Sequence, residues 1–152
     1  MTNLLRSLFL LTVGLWLGAT LFLHIATSQL ARTEQDSFLS VAQSLQNSYL
    51  DLFLITVPIS IGILILFTYS GASETQRRTV PSILMLVVAF FVTLYWHQAL
   101  RPPSLELQAR QNRSEDSKEE RKIRRMDAAT SGFAFLLGVA SLTLIVRRVE
   151  SR

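Results

Sequence analysis

At 152 residues the chain has room for one domain, and its 49% hydrophobic content (mean hydropathy +0.34) falls in long runs, not in the short periods of a soluble core. The net charge of +4 and pI near 10.1 would suit nucleic acid. However, the basic residues flank apolar runs, where Lys and Arg set topology or meet lipid headgroups, and no groove-reading motif is present, so no nucleic-acid partner is expected. The absence of cysteine excludes disulfides, thiolate chemistry and Cys-ligated zinc or iron–sulfur sites.

Four runs approach the roughly 20 apolar residues that a helix needs to cross a bilayer core of about 30 Å. The first is predicted over 4–27, interrupted by Arg6, Thr12, Thr20 and His24. Its apolar stretch from Leu8 to Ala26 exceeds the roughly 7–15 residues of a secretory h-region, so it reads as a membrane span. A polar stretch follows, in which Phe38, Val41, Ala42, Leu45 and Tyr49 recur at helical spacing behind Asp36 or Ser37 as a cap. This is either an amphipathic helix on the membrane surface or a helical loop packed on the bundle.

The second span is predicted over 50–69, starting at Asp51 and carrying Pro58 inside the run, where buried bundles tolerate a kink. After the polar turn Ser70–Arg78 the third is predicted over 81–100, with Pro81 in its first turn and Arg101-Pro102-Pro103 as its stop. Residues 104–125 are the most charged part of the chain. Glu106/Arg110 and Glu120/Arg124 have the spacing of an exposed helix, a charged extension leading into the fourth span at 128–146, which Arg147-Arg148 closes. The expected fold is an all-α, up-down, integral membrane four-helix bundle forming a single domain.

Four spans put both termini on one side. Six Lys and Arg lie on that side and nine on the other, which weakly favours loops one and three in the cytoplasm of a bacterial-type inner membrane or plasma membrane. Membrane helices associate through small residues and hydrogen bonds. The expected close contacts are therefore Gly14 and Gly18, a GxxxG pair, and the stripe Ser131, Ala134, Gly138 and Ser141, packed within the monomer or, as the alternative, across a dimer.

The pattern Gly14-Leu-Trp16-Leu-Gly18-Ala-Thr-Leu-Phe22, the amphipathic stretch ending near Tyr49, the exit Arg101-Pro102-Pro103 and Met126-Asp127-Ala-Ala-Thr130-Ser131 together resemble one family. This is the four-helix membrane family of unknown function that includes transmembrane protein 205. The resemblance implies four spans and supplies no catalytic mechanism. The family tends to carry proline where this chain has Thr27-Ser28, and histidine where Asp127 stands.

His24 and His97 each lie sixteen residues into parallel spans, counted from Leu8 and Pro81, so at about 1.5 Å per residue they reach similar depth. Asp51 and Asp127 start the other two spans at that interface. The four form a candidate ion, proton or ligand site. Three readings stay open: helix caps and interfacial residues, a proton or cation relay, or haem b or metal ligation through the histidines. No HExxH, GxSxG or phosphate loop is present, which leaves an enzyme without support. The functional expectation is a non-enzymatic accessory or assembly subunit that contacts membrane lipid and other membrane protein subunits, or a homo-oligomer. The alternative is an oligomeric transporter of small solutes or ions using the His/Asp cluster, and third a haem or metal redox protein.

Overall fold

The computed structural model describes residues 2–33, 37–70, 73–110 and 118–146, which are helical apart from a turn at Ser37. The elements are α1 (Thr2–Thr33), α2 (Phe38–Ser70), α3 (Ser73–Tyr95), a π-helical turn (Trp96–Leu100), α4 (Arg101–Arg110) and α5 (Lys118–Val146). Four stretches are long and apolar enough to cross a bilayer: Asn3–Ala31, Phe38–Tyr69, Thr79–Leu107 and Lys118–Val146. The chain is a multi-pass membrane protein. At about 1.5 Å per residue, α1 and α2 rise about 48–50 Å, so their ends emerge beyond a hydrocarbon core of about 30 Å.

Neighbours in the bundle are α1 with α2, α2 with α3, α3 with α5, and α5 with α1. Arg6 at the start of α1 donates to the Val146 carbonyl at the end of α5 (3.5 Å), so those two helix ends share one side, as up-down topology requires.

Several predicted boundaries change. The stretch expected to form a separate amphipathic helix is continuous with the second span, because no glycine or proline interrupts residues 38–57. Its apolar side does not lie on the membrane surface: Phe38 and Ala42 pack on Leu105 of α4, with Leu30 and Ala31 of α1 alongside. The third helix begins at Ser73, so Pro81 lies inside it and not in its first turn.

Nor does Arg101-Pro102-Pro103 stop that helix. Prolines at 102 and 103 lack N–H groups, and their rings crowd the carbonyls one turn back. The helix widens instead, with the Arg101 N–H bonding the Trp96 carbonyl across a π turn, and continues as α4. The charged extension is thus divided between α4 and the first turns of α5; residues 111–117 lie outside the described residues, as do Asp36 and Arg147-Arg148.

Inside the bundle an aromatic column links the helices. Phe53 of α2 packs between Trp16 of α1 (5.9 Å) and Phe90 of α3 (5.3 Å), and Tyr49 meets the edge of Trp96 (6.0 Å). One glycine is sterically required here. A Cβ on Gly138 would stand 2.7 Å from Trp16 Cζ3 and 2.8 Å from Leu17 Cδ2, so its absence lets the indole lie against α5.

The GxxxG expectation is corrected. Gly14 and Gly18 are exposed, and a Cβ on either would meet nothing within 4 Å. At about 100° per residue Gly18 falls roughly opposite the inward face of α1, which Val13, Trp16, Leu17 and Thr20 fill, and Gly14 falls to one side of it. The α5 stripe Ser131, Ala134, Gly138 and Ser141 is buried, but Gly138 faces Trp16 and Leu17 rather than the two glycines of α1.

Candidate functional site

One end of the bundle concentrates the polar chemistry. Its centre is Arg101, the first residue after the π turn, which is 1% exposed. Arg101 Nη1 lies 3.3 Å from Asp127 Oδ2, an ion pair between α4 and α5. The carboxylate is completed from two sides: Trp96 Nε1 donates to Oδ1 (2.7 Å) and the Ser104 hydroxyl donates to Oδ2 (3.0 Å). Arg101 Nη2 donates to Thr27 Oγ1 of α1 (2.8 Å), and its guanidinium carbon sits 5.4 Å from the centre of the Trp96 ring. A charge in this setting persists only when paired and hydrogen-bonded, and here cation and anion each have three polar or aromatic partners. Arg101 Nε and Thr93 Oγ1 are buried without a hydrogen-bond partner among the described residues.

The π turn makes this grouping. In an unbroken α-helix a residue four positions before Arg101 shares its face, which would select His97. The extra residue per turn puts Trp96 there instead, and both Trp96 and Arg101 reach Asp127. His97 turns toward α2, where its Nε2 donates to the Gln46 carbonyl (3.3 Å) while Gln46 Nε2 donates to the His97 carbonyl (3.5 Å).

His24 enters from α1. Its ring stacks on Trp96 at 5.6 Å and 10°. Nδ1 lies 2.9 Å from the Thr20 carbonyl, which can only accept, so Nδ1 carries a proton. Nε2 lies 3.1 Å from Ser131 Oγ. The single Ser131 hydrogen can serve Nε2 of a neutral imidazole. If Nε2 is protonated, the hydroxyl accepts and turns its own hydrogen to the Ala128 carbonyl at 3.2 Å. The Ser131 hydroxyl can therefore pair with Nε2 as donor or as acceptor by rotation alone. Further into the membrane, Trp16 Nε1 donates to the Tyr49 hydroxyl (3.1 Å), which lies 3.2 Å from Thr20 Oγ1.

Of the four residues expected to cluster, the structure brings two together. His24 and Asp127 contact opposite parts of Trp96: its face and its N–H. His97 faces a different helix, so the two imidazoles do not form the facing pair that haem b or a shared metal would need. Asp51 is exposed, because the inward positions of α2 are Gln46, Tyr49 and Phe53 and residue 51 points away from them. Among the described residues no group of three or more His, Asp or Glu side chains is placed to hold a metal ion.

Arg101, Trp96, Ser104 and Thr27 were not foreseen as site residues. Arg101 looked like the terminus of a span, and only a π turn aligns it with Trp96. The usable signal was Pro102-Pro103 after a long apolar helix, which demands a local break in α-helical bonding. Comparison with family models, with curated proteins and with solved structures finds no match for the chain.

Proposed function

We propose that this membrane protein is a non-enzymatic accessory or assembly subunit that docks another transmembrane helix, from a partner subunit or a second copy, on the outer face of α1. The observation that carries this reading is the shape of that face. Leu4, Leu8, Leu11, Leu15, Gly18, Phe22 and Ile25 are all exposed and follow the alternating four-three spacing of a helix–helix seam, with Gly14 beside it. Lipid leaves apolar surface indifferent, but an open small-residue notch lets a second backbone approach closely.

The test is Gly14→Leu/Gly18→Leu, purified in mild detergent beside the native chain and analysed by mass spectrometry. Open space at both positions lets the variant fold. The native chain should retain partner subunits or a second copy, and the variant should lose them. A solitary native chain, or a variant that keeps its partners, contradicts the reading.

A second reading, transport of protons or small solutes, draws on the series of half-buried His24 and buried Trp96, Asp127 and Arg101, since ionisable groups inside membranes are often functional. Flux into vesicles that is unchanged by His24→Ala and Asp127→Asn would eliminate it. Two further proposals complete the picture. The excess of Lys and Arg in loops one and three supports their placement in the cytoplasm, at an inner or plasma membrane. Kinship with the family of transmembrane protein 205 rests on the motifs around Trp16 and Met126. The two places where the chain departs from that family, Thr27 and Asp127, are both partners of Arg101.

A further inference from the structure

The geometry points to a binding site for one anionic phospholipid on the outer surface of α5, formed by a basic groove that runs into an apolar one. Lys118, Arg121, Lys122 and Arg125 line a groove of about 420 Å³ together with Met126 and Ala129. Ala129 also borders a second groove of about 510 Å³ between α3 and α5, whose other walls are Phe91, Val92, Tyr95, Thr130 and Phe133.

The four cations are spaced three, one and three residues apart, so at about 100° per residue they share one side of α5 over about 10 Å. Ala129 and Phe133 continue that side toward the bilayer interior, with Phe133 about 12 Å beyond Arg125. All four basic residues are exposed, and among the described residues none of them forms a salt bridge. Glu120 lies on the opposite side of the helix and Glu119 at the edge of the stripe.

A soluble anion would use the charged half and leave the apolar half empty, while an uncharged lipid would do the reverse. A phospholipid of net negative charge uses both. Its phosphate meets Arg121 and Arg125, which can bind phosphate oxygens in pairs, with Lys118 and Lys122 as flanking point charges. Its acyl chain lies along Phe91, Tyr95 and Phe133, which are 64%, 54% and 51% exposed. Tyr95 sits at the polar mouth of the groove, where an aromatic ring with a hydroxyl suits the headgroup boundary. The site is distinct from the outer face of α1 and does not depend on the docking reading.

The test is native mass spectrometry of the full chain in detergent with equimolar phosphatidylglycerol and phosphatidylcholine. Both lipids carry a phosphate and acyl chains, and only the first has net charge. Native protein should retain phosphatidylglycerol over phosphatidylcholine by about tenfold or more, the scale expected of several cations near one anionic headgroup. Lys118→Gln/Arg121→Gln/Lys122→Gln/Arg125→Gln should reduce the preference to near parity. Phe133→Ala should weaken retention of both lipids while keeping the preference. Tryptophan fluorescence of the buried Trp16 and Trp96 reports whether each variant keeps its fold. An excess of inorganic phosphate should displace little of the lipid. A fourfold glutamine variant that keeps the native preference overturns the proposal. Complete displacement by inorganic phosphate overturns it too, because the site would then be a soluble-anion site.

Discussion

The two ends of the bundle are held by different physics. At the end containing the α1 N-terminus, Phe9, Val13, Leu64 and Leu86 are buried in the apolar core, and polar contacts join the helices in pairs. Ser60 donates to Thr12 (2.7 Å), Ser141 to the Ser82 carbonyl (3.4 Å) and Arg6 to the Val146 carbonyl (3.5 Å). At the other end a connected network runs from Tyr49 and Thr20 through His24 and Trp96 to Asp127, Arg101 and Thr27, and touches every span. Apolar side chains gain little by exchanging lipid for one another, and many registers satisfy them nearly equally. A buried guanidinium and carboxylate accept one arrangement. The comparison assigns helix register to the polar end, while the apolar end supplies contact area.

The largest expected effect comes from breaking that end. Arg101→Leu leaves Asp127 charged, buried and without its cation, and should cost about 3–5 kcal/mol in unfolding measurements in detergent. At mid-bundle, Gly138→Ala pushes a methyl into Trp16 and Leu17. It should cost about 1–3 kcal/mol and shift tryptophan emission as the indole leaves the Tyr49 hydroxyl. If Gly138→Ala proved more damaging than Arg101→Leu, packing and not charge pairing would set the register. Asp51→Asn should change stability by no more than about 0.5 kcal/mol, since residue 51 is exposed. A large loss there would mean that the polar junction extends further along α2.

The spans themselves were legible because bilayer crossing imposes a length and an apolar composition that few other structures share. The buried stripe from Ser131 to Ser141 followed from small residues at helical spacing. What sequence reasoning misread has local causes. Rotation about a helix axis is weakly encoded when both faces are apolar, so Gly14 and Gly18 could be assigned inward although Trp16 and Leu17 take that side. Equal depth put His24 and His97 together, but depth says nothing about azimuth, and the π turn rotates His97 toward Gln46. Arg101 was hidden for the same reason: its partnership with Trp96 follows a five-residue spacing that α-helical periodicity does not group.

The most direct measurement is a double-mutant cycle on Arg101→Leu and Asp127→Leu, with unfolding followed in the same detergent for all four proteins. Removing either charge alone should destabilise strongly, and removing both should restore much of the loss, giving a coupling of about 2 kcal/mol or more. Single effects that add to within about 0.5 kcal/mol would mean that the two side chains are not joined in the membrane, contradicting the account of the polar end.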